Sequence, residues 1–198
     1  MEKIRIIHNL PRSGGTIISR CFASLPNTIV LSEIHPIGNN FVNLEPIQQA
    51  HSWYNLINEE EKDYYLKSNK SFIEKIDFLL KKANSKNKKL IIRDWCYLDY
   101  LGKPHIDPSY KNSLYDTLSK KYEILNISIL RHPVNTWMSF KALNITKGLY
   151  TVNEFLEGYI KYYYFANKFN YYKYEDFCKN PDSILKKMCS NLDIEFNA

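Results

Sequence analysis

Pro11-Arg12-Ser13-Gly14-Gly15-Thr16 follows an apolar run, Ile4 to Leu10, and precedes an amphipathic one, Thr16 to Leu25. The order reads as strand, turn, helix. Two consecutive glycines let the backbone turn tightly and approach a ligand closely. The first N–H groups of the helix, with the positive end of its dipole, face the same place. Arg12 adds a fixed charge, and Ser13 and Thr16 add hydroxyls. Residues of these types make a cradle for phosphate or sulfate; the plainer alternative is an ordinary strand-to-helix turn. A Walker A loop would need Lys after its last glycine, where Thr16 stands. The usual magnesium-binding hydroxyl is lost with that Lys, which argues against a kinase or NTPase.

A second place of this kind is Arg131, at the end of the apolar run Ile124 to Leu130, with Ser139 eight residues further on. Pro133 suits the first turn of a helix. If that helix packs back over the strand end, Arg131 and Ser139 meet at one anion. Guanidinium plus hydroxyl is a phosphate clamp; the alternative is a surface salt bridge.

The elements that must position these residues follow from the pattern of the 198-residue chain. Buried strands are expected at Ile4–Leu10, Thr28–Leu31, Leu90–Ile92 and Ile124–Leu130, and a short one at Tyr171–Tyr174. Helices are expected at 16–25, across most of 45–84, and at 109–121, 133–145, 152–169 and 181–192. Phe72, Ile76, Leu79 and Leu80 recur at helical spacing and mark one apolar face. Strands alternating with helices imply parallel pairing, with ligands bound beyond the strand ends. The expected architecture is one α/β domain, residues 1–198, with a short parallel sheet between helices.

Composition narrows the function classes. Hydrophobic residues are 44% and charged residues 24%, as in ordinary globular domains, which excludes a disordered or collagen-like chain. No apolar run approaches the ~20 residues that span a bilayer. The net charge of +6 suits an anionic ligand, or simply a Lys-rich solvated surface. The basic residues are scattered and no nucleic-acid-binding motif is present, so nucleic acid is not an expected partner. Cys21, Cys96, Cys178 and Cys189 lack CxxC spacing and are expected to be free and buried. The chain enters its first strand directly after Met-Glu-Lys, so a cytoplasmic location is expected. His51 and His132 lack metal-ligand spacing and His8 lies within a strand, so no metal is expected.

Taken together, these motifs resemble the sulfotransferase superfamily. Pro-Arg-Ser-Gly-x-Thr after an N-terminal strand is similar to its 5′-phosphosulfate-binding loop, where Thr is usual at the position of Gly15. Arg131, Pro133 and Ser139 resemble its 3′-phosphate-binding motif. Tyr174-Glu175-Asp176-Phe177, with Asn180-Pro181 after it, is similar to a segment whose Tyr contacts adenine. The resemblance implies a P-loop-like three-layer fold and 3′-phosphoadenosine 5′-phosphosulfate as sulfuryl donor. Arg12, Ser13, Gly14, Gly15, Thr16, Ile17, Arg131, Ser139 and Tyr174 would bind that donor. The acceptor would be a small molecule or a glycan.

The resemblance also implies a base. In tyrosylprotein sulfotransferases and similar members it is a Glu at a matching spacing after the loop Arg. Here Glu33 stands 21 residues after Arg12. Glu33 takes the base role by this resemblance, with Arg12 as the other catalytic residue. If Glu33 instead only salt-bridges a loop, Arg12 is the expected partner. His35 and Asp94 are the alternatives as base, because the third strand ends Arg93-Asp94-Trp95 without the His of the cytosolic members. Trp53, Tyr54, Trp95 and Tyr97 are candidates to line an acceptor pocket framed by the middle helices. No Gly- and Lys-rich segment like the one that closes over the donor in cytosolic members is present up to Ala198. Either another loop supplies that contact or the donor site is more open. Two other readings remain: a kinase with a degenerate P-loop, and a 3′-phosphonucleotide-binding module without catalysis.

Overall fold

Strands buried on both faces are continuous aliphatic runs. The computed structural model describes residues 2–196. In it, such runs form β1 (Lys3–Asn9), β2 (Thr28–Ile34), β3 (Lys89–Asp94) and β4 (Glu123–Leu130), joined by a short β5 (Tyr171–Lys173). All pair in parallel, in the order β2-β3-β1-β4-β5. The helices are α1 (Gly15–Ala23), α2 (Pro46–Tyr54), α3 (Glu59–Lys67), α4 (Phe72–Ser85), α5 (Cys96–Tyr100), α6 (Ser113–Leu118), α7 (Pro133–Lys141), α8 (Val152–Ala166), α9 (Tyr174–Lys179) and α10 (Pro181–Asn191). This is the expected three-layer α/β architecture, with β3 between β2 and β1.

The sheet core has two faces. Ile4 and Ile6 of β1 pack with Ile76, Leu79 and Leu80 of α4 on one face. Ile7 packs with Ile18 and Phe22 of α1 and Met188 of α10 on the other. Because side chains alternate along a strand, Asn9, Ser32 and Arg93 continue the α1 face. His8 and Asp94 continue the opposite one. This division decides which residues reach the candidate site.

The expected helical stretch from 45 to 84 is three helices. Asn58 and Ser71 each cap the helix that follows, and Glu61 and Glu74 return the bond in two capping boxes. The expected helix at 109–121 shortens to α6, capped by Asn112. All four cysteines are free: Cys96 and Cys189 are buried and Cys21 is half-buried. Cys178 departs from expectation and is exposed, because it lies on the outer side of α9. Among the described residues, no helix is long and apolar enough to cross a membrane.

Candidate functional site

The loop after β1 is built around one carbonyl. Leu10 O accepts from the Ser13 N–H at 3.3 Å and from Ser13 Oγ at 2.6 Å. Ser13 is therefore buried, its hydroxyl and N–H both spent on holding the turn. It does not face the cleft as its residue type suggests. Arg12 and Gly14 have positive φ, 66° and 92°. At Gly14 a Cβ would fall 2.1 Å from the Tyr174 ring, and at Gly15 it would fall 2.3 Å from the Asn9 side chain. Neither glycine can be replaced without displacing a neighbour. Gly14 is the N-cap of α1 and, among the described residues, no side chain caps that helix. The N–H groups of Gly15, Thr16 and Ile17 thus have no partner within the helix.

These groups border a cleft of about 420 Å³, with Asn9, Arg20, Glu33, Arg93, Arg131 and Tyr174 on its other walls. Four arginines and one carboxylate line it, so its field strongly favours an anion. Arg20 stands one helical turn beyond Thr16, and that spacing was a usable signal for placing it on the same side of α1.

Helix α7 follows the end of β4 and brings Ser139 to Arg12, not to Arg131 as the clamp expectation required. Arg131 Nη1 donates to Arg12 O at 2.9 Å, and its guanidinium lies 5.3 Å from the Tyr174 ring centroid. Arg12 Nε donates to Ser139 Oγ at 2.8 Å. The backbone N–H of His132 donates to Glu175 Oε1 at 2.9 Å, tying the start of α7 to α9. Arg12, Arg131, Ser139 and Tyr174 therefore form one connected group, with Ser139 behind Arg12.

Glu33 occupies a β-bulge near the end of β2, where the register with β3 shifts between Leu31 and Ile34. Its φ is 58°, a conformation that costs a non-glycine residue about 1 kcal/mol or more. Oε1 of Glu33 accepts from Arg93 Nη2 at 2.9 Å. Arg93 Nε donates to Asn9 Oδ1 at 3.1 Å, and Nη1 donates to Ser32 Oγ at 3.0 Å. Burial presses the Arg93 pKa down, and the Glu33 charge acts in the opposite direction. Glu33 thus pairs with Arg93 and not with Arg12, because β3 stands between β2 and β1. Arg93 was not singled out from sequence, although a lone arginine after Leu90-Ile91-Ile92 was a usable signal.

The two alternatives to Glu33 are turned into the core. Asp94 is buried, and its Oδ2 meets His8 Nδ1 at 2.7 Å, Asn112 Nδ2 at 2.6 Å and Cys96 Sγ at 3.0 Å. Burial alone would raise the Asp94 carboxyl; these hydrogen bonds outweigh it and hold it below the usual carboxylate range. His35 is buried, with Nε2 on Asp99 Oδ1 at 3.2 Å and Nδ1 accepting from the Ile37 N–H at 3.3 Å.

No family model matches this sequence, and no curated protein matches it. Solved structures do match. The sulfotransferase domain from the curacin biosynthetic pathway aligns over all of this chain and 76% of its own length, with a TM-score of 0.76 and 16% identity. This chain has the sulfotransferase fold. The sulfotransferase from Alicyclobacillus acidocaldarius aligns over 98% of this chain and 82% of its own, with a TM-score of 0.51 and 14% identity. Mouse sulfotransferase SULT7A1, solved with PAP, aligns over all of this chain and 61% of its own, with a TM-score of 0.50 and 16% identity.

Within this sulfotransferase fold the aromatic candidates divide. Trp95 and Tyr97 line a second cavity next to the cleft, while Trp53 and Tyr54 line a groove on the far side of Arg20 and Arg93. Of the middle helices, α5 reaches the second cavity through Tyr97, while α2 and α4 are committed to the sheet core. Its other walls are Pro11, Glu33, His105, residues 42–44, Phe140, Leu143, Ile145 and Thr146. The packing of the loop after β1 also explains Gly15, since Asn9 fills the space a side chain would need. Restoring the usual Thr by Gly15→Thr is expected to destabilise the protein by about 1–3 kcal/mol through overpacking. Urea unfolding measures this; unchanged stability would mean that Asn9 moves aside freely.

Proposed function

We propose that this chain transfers a sulfuryl group from 3′-phosphoadenosine 5′-phosphosulfate to a hydroxyl or amine of an acceptor. The observation that carries the reading is the meeting, in one arginine-lined cleft, of the open α1 N-terminus, Arg12, the Arg131 group and Glu33. The donor's fit rests on the cradle itself: the first N–H groups of α1 are left uncapped beside the cleft, and four guanidinium groups line it. The donor supplies an activated sulfuryl group on a phosphate leaving group. Arg12 and the N–H groups of Gly15, Thr16 and Ile17 stabilise charge on the departing 5′-phosphate. Arg131 holds the 3′-phosphate, Ser139 positions the Arg12 guanidinium whose Nε it accepts from, and Tyr174 contacts the base. Glu33 takes the acceptor proton as the acceptor oxygen or nitrogen bonds to sulfur and the sulfur–phosphate oxygen bond breaks. The leaving group is adenosine 3′,5′-bisphosphate. That the mouse sulfotransferase was solved with PAP supports this donor class.

Calorimetry with adenosine 3′,5′-bisphosphate, beside ATP and AMP, tests the reading. The bisphosphate is expected to bind without magnesium and more tightly than ATP. Arg131→Ala is expected to weaken the bisphosphate by about tenfold or more, the scale of a charge-assisted hydrogen bond, and to leave AMP nearly unchanged. Equal weakening of both ligands would remove the clamp role. ATP binding alone, dependent on magnesium, would point to a kinase.

A further inference from the structure

We infer that the acceptor is a neutral, apolar ring compound carrying a hydroxyl, such as a phenol, and not a glycan or an acidic peptide. This inference rests on the sulfuryl-transfer reading and names the substrate class of that site.

The second cavity holds about 370 Å³, at the small end of the range for ligand pockets. It shares Pro11, Glu33 and Leu143 with the donor cleft, so the two spaces meet at Glu33. A hydroxyl entering from this side reaches the carboxylate at the junction. The two spaces differ sharply in chemistry. Among the described residues, no Lys or Arg lines the second cavity, and its one carboxylate is Glu33 itself. An anionic acceptor would lose its hydration there without meeting a cation.

Two of the polar side chains on the walls are already occupied, which leaves Glu33, Asn43, His105 and the Trp95 indole N–H. Thr146 Oγ1 donates to Phe140 O at 2.8 Å. The Tyr97 hydroxyl donates to Lys103 O and accepts from Tyr150. A glycan brings many hydroxyls and would find few partners for them, which is costly in a site of this kind. Flat apolar surface is plentiful instead. The rings of Trp95 and Tyr97 lie 27° from parallel with centroids 6.0 Å apart, and His105 stands 5.9 Å from Trp95. Aromatic faces of this kind favour a planar ring partner. Ile145, at the rim, is 66% exposed. Such an apolar side chain is covered when a ring enters.

Binding of 2-naphthol, followed by its own fluorescence in the presence of adenosine 3′,5′-bisphosphate, tests the inference. Saturable binding is expected, and Ile145→Lys is expected to weaken it roughly tenfold by placing a charge at the apolar rim. The bisphosphate affinity should not change, because Ile145 does not line the donor cleft. Sulfation from the donor is expected for 2-naphthol and not for the glycan heparosan or a tyrosine-containing acidic peptide. Bisphosphate binding with no binding of 2-naphthol would overturn the acceptor class and leave the donor reading standing. Heparosan or peptide sulfation in preference to 2-naphthol would do the same. Failure of the bisphosphate to bind would instead sink the donor reading, whatever 2-naphthol does.

Discussion

Replacing Arg12 by glycine is expected to lower kcat by about 10²–10³, the loss seen when one preorganised donor to a developing anion is removed. Glycine is the right replacement, since the φ of 66° at this position strains any side chain, including the alanine of Arg12→Ala. Arg12 is exposed and its side chain makes one hydrogen bond, to Ser139 Oγ. Thermal stability should therefore stay close to wild type or rise slightly. A large fall in turnover with retained folding assigns the charge to the leaving phosphate. Wild-type turnover in Arg12→Gly would end that assignment, and the remaining arginines of the cleft would have to supply the field.

The second large effect is expected from Glu33→Gln. General-base catalysis contributes about 10²–10⁴, and kcat should fall by a factor in that range. Glutamine keeps an oxygen that can accept from Arg93, so the bulge and its buried guanidinium remain partnered. Binding of adenosine 3′,5′-bisphosphate should be unchanged, which separates a lost base from a damaged donor site. Stopped turnover with intact binding supports the transferase. If Glu33→Gln transfers sulfuryl groups at the wild-type rate, the base lies elsewhere, and His105, on the wall of the adjoining cavity, is next in line.

Much of this architecture is visible in the chain itself, and the exceptions have physical causes. Ile4–Leu10 and Ile124–Leu130 are legible because parallel strands buried on both faces leave unbroken aliphatic runs. The loop at Arg12–Thr16 is legible because strand, glycines and helix are contiguous. The breaks in 45–84 were present as Asn58 with Glu61 and Ser71 with Glu74, but capping boxes are easily hidden inside a charged helical stretch. The Glu33–Arg93 pair is different. It depends on which strand lies beside which, and on a bulge that turns Glu33 out of the strand's alternation. The second cavity was least accessible, because its walls join segments about a hundred residues apart and carry no motif.

Asn9 and Gly15 occupy one volume between them, and Asn9 also holds Arg93. That sharing sets a rule for how the chain can diverge. A descendant that acquires a side chain at position 15 must first shrink or lose the amide at position 9, and Arg93 then loses one of its three partners. Positions 9, 15 and 93 are therefore expected to change as a set among close relatives, with threonine at 15 accompanied by a smaller residue at 9.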